Sequence, residues 1–400
     1  LFVTHLLLTS LLQTKSMQHH PFKFGKLAEG VHFTDRDKER NRLKSNVLSG
    51  VNTILISPRR YGKSSLVQQA AADLSTERSI RFAQLDLFEV RDEREMLERI
   101  TSAVISATST SLEDRLRDMK RFVQTIVPKV SLGSDPMQEI SIGLSWEDVE
   151  RSRHELLELP EKLAKDKKVH LVLCIDEFQN IGHFPDPKAT QKLLRAAWQR
   201  HQHVTHLLYG SKRHMMLELF TKSSMPFYKF GDILFLERID RPHWVKYITS
   251  RFQRTKKKIT AELADAIARI MEDHPYSVQM LANATWQRTT GSATPRAIEL
   301  GLEDLMDQYT ILYQRIVDEL TTPQLRFLEA MSDGVERFTT AEVLTRYEFG
   351  SSAMVGRIRT ALEKKDILDH QGAETVWLDP LFRIWLENRF WRKPKRPVLQ

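Results

Sequence analysis

Residues 51–65 read VNTILISPRRYGKSS and are followed by LVQQAAA at residues 66–72. The first seven, VNTILIS, form a short β-branched run of the kind that fills a buried parallel strand. The last seven form a helical run. A strand, a turn carrying Gly62-Lys63-Ser64 and a helix make the setting that a phosphate-binding loop requires. Gly62 lets the backbone approach an anion, and the N–H groups that open the helix point at it. Lys63 brings a full positive charge to β- and γ-phosphates, and the Ser64 hydroxyl suits a magnesium coordination sphere. The pattern Gly-x-x-x-x-Gly-Lys-Ser/Thr has Ser57 in place of its first glycine, so the match leans on the flanking strand and helix. The expected nucleotide cradle is Ser57, Pro58, Arg59, Arg60, Tyr61, Gly62, Lys63, Ser64 and Ser65.

A second apolar run, HLVLCI at residues 170–175, ends in Asp176-Glu177. A buried strand that delivers two adjacent carboxylates at its C-terminal end puts them where ligands sit in open α/β sheets. Asp176 is expected to hold Mg2+ and Glu177 to polarise an attacking water. Along the chain between these runs lies a third strand, residues 80–87, IRFAQLDL. A strand inserted between the phosphate loop and the acidic strand marks the P-loop NTPases that carry a catalytic glutamate, and this strand is expected to be that one. Two more follow, VTHLLY at residues 204–209 and ILFL at residues 233–236. The first leads into Gly210-Ser211, so Ser211 is either a sensor of the γ-phosphate or part of a plain turn.

Hydrophobic residues make up 41% of the 400 and charged residues 28%, enough to build real cores and exclude a disordered chain. The single cysteine, Cys174, lies inside the acidic strand. It allows no internal disulfide and no Cys-based zinc site, and reads as a small buried hydrophobe in a reduced, cytoplasmic protein. His201, His203 and His206 read as structural or surface groups and not as a metal cluster. The run LFVTHLLLTSLL at residues 1–12 is too short to span a bilayer and has no basic residue before it. No membrane span is expected elsewhere, and residues 1–16 read as an over-extended start or an unstructured leader.

With ISPRRYGKSSLV, LCIDEFQNI, LLYGSKRHMM and MPFYKFGDILFLERI in this order, the chain resembles the archaeal-type ATPases of the AAA+ and STAND group. The resemblance covers roughly residues 30–390. It implies an α/β P-loop NTPase core, a parallel sheet flanked by helices, followed by a helical lid and a winged-helix domain. It implies ATP and Mg2+ as ligands. Relatives open with an aromatic-x-Gly-Arg-x-x-Glu box on the adenine side. Residues 33–39, FTDRDKE, match it through Phe33 and Arg36, with Asp35 in place of the Gly. Members often carry an arginine after the Pro-x-Tyr before the last strand. Here that stretch is Pro226-Phe227-Tyr228-Lys229, leaving Lys229, Arg59, Arg60 and Arg213 as the other cations and implying slow hydrolysis.

The expected organisation is a leader at 1–30, the ATPase core at 31–240 with an insertion at about 110–165, a lid at 241–320, a winged helix at 321–388 and a basic tail at 389–400. The insertion contains alternating segments around Gly133-Ser134-Asp135-Pro136, read as a hairpin at residues 130–144. In the winged helix, Thr322 and Pro323 suit a cap and first turn, and Val355, Ile358 and Leu362 make a buried stripe.

The net charge of +8 is concentrated in two places. Residues 251–258, RFQRTKKK, carry five basic groups, and residues 389–396, RFWRKPKR, carry five more. Residues 321–388 hold eight Lys/Arg against eleven Asp/Glu, a balance of −3 that opposes a phosphate-reading surface there. The reading that follows is a nucleotide-driven conformational switch that binds ATP or ADP and acts as a Mg2+-dependent ATPase. Two rivals stand beside it. One is a DNA-associated, initiator-like regulator using the winged helix and basic tail. The other is a signalling scaffold that self-associates or meets a protein partner when ATP binds.

Overall fold

The computed structural model describes residues 20–77, 79–111, 113–118, 121, 146–371, 374–394 and 397–398. The hairpin read at residues 130–144 and the apolar run at residues 1–12 lie outside them. The described residues gather into two compact units, residues 29–238 with 320–379, and residues 20–28 with 239–319 and 380–398.

The first unit is built on five parallel strands: β1 (Thr53–Ile56), β2 (Ile80–Asp86), β3 (His170–Asp176), β4 (Val204–Gly210) and β5 (Asp232–Phe235). Their order across the sheet is β2-β3-β4-β1-β5. Strand periodicity divides their side chains between two cores. Ile54, Ile56, Leu171, Leu173, Ile175 and Leu208 face one side, against α3 (Glu93–Thr108), α4 (Trp146–Asp166), α5 (Pro187–Trp198) and α6 (Arg213–Thr221). Leu55, Val172, Cys174, Leu207, Tyr209 and Leu234 face the other, against α1 (Asp37–Leu48) and α2 (Lys63–Leu74). Each such Ile or Leu contributes about 1.5–3 kcal/mol by leaving water. Both faces are covered, which is why the strands read as continuous apolar runs. Cys174 is fully buried, and burial pushes its thiol far above the ordinary range.

One expectation about this sheet needs correction. The strand that separates β1 from β3 is β4, not the sequence-adjacent β2, which takes the edge beyond β3. Chain order cannot show this, because parallel neighbours are chosen by crossover packing.

The same unit contains α11 (Thr322–Ser332), α12 (Ala341–Arg346), α13 (Ser352–Lys364) and the antiparallel pair β6 (Leu368–Gln371) and β7 (Glu374–Trp377). This is the order of helices and hairpin expected of a winged helix. Val355, Ile358 and Leu362 are buried as read from the sequence. The cap of α11 falls one residue earlier than expected, on Thr321, whose N–H donates to Gln324 Oε1 at 3.0 Å.

The second unit consists of α7 (Arg241–Arg254), α8 (Ala261–Ile270), α9 (Pro275–Gln287), α10 (Pro295–Asp318) and α14 (Pro380–Trp385). Side chains of Thr260, His274 and Thr294 accept the first free N–H groups of α8, α9 and α10. The described part of the expected leader is folded here. Phe22 is 3% exposed and lies edge-on to Tyr247 and Phe252, with ring centres 6.1 and 6.0 Å away. An apolar ring with a core to enter does not stay in water. The described part of the basic tail is anchored as well: Arg389 pairs with Asp307 at 2.6 Å. No helix among the described residues is long and apolar enough to cross a membrane.

The histidines of the first unit make stability depend on pH. His206 is wholly buried, stacked 4.5 Å from Trp198, and its neighbour His201 stacks on it at 5.3 Å. Burial holds His206 well below, and His201 below, the ordinary 6.5. The unfolded chain therefore takes up protons near pH 6.5 that the folded chain refuses. Their contribution is complete above that pH and is lost as pH falls beneath it. The urea midpoint is expected to drop between about pH 7 and about pH 5, and His206→Gln to flatten that slope. A midpoint that rises over the same interval would contradict this account.

Candidate active site

The phosphate-type loop leaves β1 at Ser57, which is buried and bonds sideways, its N–H reaching Gly210 O at 3.5 Å. Gly62 precedes α2 at φ 92°, a left-handed conformation that side chains resist, and no side chain caps the helix. The opening N–H groups of α2 are thus left for an anion. Lys63 is 7% exposed, and its hydrogen bonds among the described residues, to Ser57 O at 3.5 Å and Pro58 O at 3.4 Å, are both long. Desolvation holds its ammonium below the ordinary lysine range, Glu177 and Asp176 partly offset this, and Arg59 adds to the lowering.

The rest of the expected cradle divides by burial. Pro58 and Ser65 are buried, Ser64 is half-buried, and Arg59 and Arg60 are exposed. Tyr61 sits in the core beside α1 and α2, its hydroxyl 3.4 Å from Arg238 Nε. It anchors the loop from behind.

The acidic side meets this loop because β3 and β1 flank β4. Ser64 Oγ donates to Asp176 Oδ2 at 2.9 Å, and the Glu177 N–H donates to Asp176 Oδ1 at 2.8 Å. Burial is the leading influence on the Asp176 carboxyl, which is pushed up to about 6 against the pull of Lys63 and Ser64. Glu177 stands in the left-handed region at φ 50° as the chain turns into a short 3-10 helix, Phe178–His183. A non-glycine residue there costs of order 1 kcal/mol and is held by its surroundings. Ser211 Oγ donates to Glu177 Oε2 at 2.7 Å, and Gln179 Nε2 donates to the same oxygen. Oε1 has no hydrogen-bond partner among the described residues.

Phe33 and Arg36 occupy different roles. Phe33 packs partly buried against the α1/α2 core. Arg36 is 3% exposed and is spent on main-chain carbonyls, Tyr61 O at 3.4 Å and Glu237 O at 2.5 Å. It ties the loop to the segment after β5. Gln179 escaped the sequence reading, although a polar residue two beyond the Asp-Glu pair is a usable signal. Gly210 escaped it too: a Cβ there would lie 2.0 Å from Gln179 Oε1. Sequence offers no sign of that contact.

The donor set fits a magnesium nucleotide. A hydroxyl and a carboxylate are already side by side, a buried ammonium lacks close partners, and an uncapped helix start faces the same space. No group of three or more His, Cys, Asp or Glu suited to a metal occurs among the described residues. The set therefore suits an ion that phosphate and water would also ligate.

Comparison with solved structures fits the same architecture. The Walker-type ATPase of Pyrococcus abyssi matches with a TM-score of 0.60 at 16% identity, over 92% of this chain and 99% of that one. The ORC2 protein of Aeropyrum pernix, solved in ADPNP-ADP complexes, matches with a TM-score of 0.55 at 15% identity, over 92% and 98%. The chain has the P-loop AAA+ fold. No protein-family model matches the sequence, and no curated protein matches it. In this fold β4 stands between β1, which leads into residues 57–64, and the acidic strand β3.

Gly210→Ala tests the packing behind the carboxylate. The added methyl must displace Gln179, and with it one of the donors that hold Glu177. Turnover of ATP is expected to fall at least tenfold, with nucleotide affinity within about threefold of the parent. Phosphate release and fluorescent-nucleotide titration measure the two. Unchanged turnover in a folded variant would show that Gln179 does not position Glu177.

Proposed function

We propose that this protein binds ATP with Mg2+, hydrolyses it slowly, and uses the nucleotide as a conformational switch. The observation that carries the reading is the meeting of two motifs: buried Lys63 beside the Ser64–Asp176 pair, with Glu177 held by Ser211. In this reading the main-chain N–H groups at 62–65 bind phosphate oxygens and Lys63 neutralises the β- and γ-phosphates. Ser64 and Asp176 would hold a magnesium ion, which would supply charge at the γ-phosphate. Glu177 Oε1 accepts a proton from the attacking water, while Ser211 fixes the carboxylate and senses the γ-phosphate. Phe33 stands on the adenine side, as the resemblance implies, and Arg36 supports it through the main chain.

The first basic run, residues 251–258, is partly engaged within its own unit. Lys257 bonds to Trp286 O at 2.6 Å and lies 4.0 Å over the Trp286 ring, while Arg251 is 6% exposed and stacks on Tyr247. Of its five basic residues, Arg254, Lys256 and Lys258 are exposed.

Lys63→Ala is expected to raise the dissociation constant for Mg-ATP by at least 100-fold, from the loss of the charge and its hydrogen bonds. Glu177→Gln is expected to bind Mg-ATP within about threefold of the parent and to lose at least 100-fold in turnover. Calorimetry and steady-state phosphate release read the two effects. Hydrolysis at the parental rate by Glu177→Gln would refute this mechanism.

A further inference from the structure

Beside Lys63 and a magnesium ion, the charge that spreads over the γ-phosphoryl oxygens as the bond to ADP breaks calls for a further cation. Several candidates are occupied elsewhere. Arg213 lies 4.7 Å over the Phe235 ring and faces Asp369 at 4.0 Å, with both side chains nearly buried. Lys229 is exposed and lies 5.3 Å over the Tyr228 ring. Arg60 does not line the cavity at Glu177.

Arg59 does line it. A cavity of about 410 Å3 is bounded by Arg59, Glu177, Gln179 and Lys212, together with residues that follow β2 and the 3-10 helix. Two guanidinium groups line it: Arg91 is paired with Glu95 at 3.0 Å, whereas Arg59 offers a planar fork that matches phosphate oxygens, and Lys212 offers only a point charge.

The other neighbour of Arg59 is Asp366, its Nη1 lying 3.9 Å from Oδ2. Asp366 sits where α13 ends, its N–H bonded to Glu363 O and the next N–H to Leu362 O. A carboxylate at the C-terminal end of a helix is disfavoured by the helix dipole and is relieved by a cation. Both side chains are partly exposed, and 3.9 Å is a loose pairing that a phosphate group can replace.

We propose that Arg59 supplies in cis the cation that stabilises the transferring γ-phosphoryl group, and that Asp366 holds its guanidinium in the resting state. The assignment rests on the ATPase reading above. Water oxygen attacks the γ-phosphorus and gives its proton to Glu177, the bond to the bridging oxygen breaks, and that electron pair leaves with ADP. Arg59 donates N–H groups to the γ-phosphoryl oxygens during this step and returns to Asp366 after phosphate departs. Turnover is thereby linked through one side chain to the α13–β6 junction.

The test uses the full chain and its Arg59→Ala, Arg59→Lys and Asp366→Asn variants. Readouts are kcat at several protein concentrations, Mg-ATP affinity, and affinity for ADP with aluminium fluoride, which mimics the transferring group. Arg59→Ala is expected to lower kcat by about 10²–10³-fold, with a parallel loss of aluminium-fluoride affinity and Mg-ATP affinity within about fivefold. Arg59→Lys recovers part of the loss. Asp366→Asn raises kcat by up to about fivefold, the equilibrium worth of an exposed pair. Parental kcat in Arg59→Ala overturns the assignment, as does a kcat per chain that climbs with protein concentration, which would place the cation on a second copy. An unchanged or lower kcat in Asp366→Asn overturns the resting contact. Normal Mg-ATP binding beside an indifferent Arg59→Ala removes this assignment alone, whereas a parent chain that binds no Mg-ATP removes the ATPase reading and this assignment with it.

Discussion

An ammonium group held out of water, with only distant carbonyls to bond, is the constraint around which the first unit is arranged. Lys63 cannot keep its charge cheaply in that position. Two carboxylates at the end of β3 compensate it, and they reach it because β4 separates β3 from β1. The sheet order, the glycine turn and the capping pattern of α2 all serve that juxtaposition. A different neighbour for β1 would leave the ammonium buried without compensation.

The same economy explains why several charged groups near the loop are not free to do chemistry. Arg36 is consumed by main-chain carbonyls that hold the loop against the segment after β5. Tyr61 fills the core, and Arg213 is enclosed between an aromatic face and a carboxylate. These contacts hold the anion pocket open from behind. They also narrow the mobile cations to the few that remain in contact with solvent, of which Arg59 is in the loop itself.

Much of this was legible in residues 51–65 and 170–177. Continuous apolar runs ending in Gly-Lys-Ser and Asp-Glu specify buried strands and the chemistry at their tips, since no other fold class leaves such strands covered on both faces. The stripe of Val355, Ile358 and Leu362 was equally plain, because it follows from local helix geometry. Gln179 and Gly210 were not legible as a pair. Their contact joins the 3-10 turn after β3 to the end of β4, and no local rule predicts which side chains face each other across a sheet. The leader at 1–30 was drawn past Phe22 for a related reason: a short polar-flanked segment gives no sign of its place until the aromatic cluster that receives it is known.

By itself the sequence determined the strands, the turn that only glycine tolerates at position 62, and the identity of the groups at the strand tips. These are matters of periodicity and backbone sterics, which act over a few residues. Tertiary structure alone decided that β4 and not β2 lies between β1 and β3, that Arg36 and Arg213 are spent on packing, and that Arg59 rests against Asp366. Such pairings depend on which surfaces meet when helices cover a twisted sheet, and that choice is settled by burial across the whole unit.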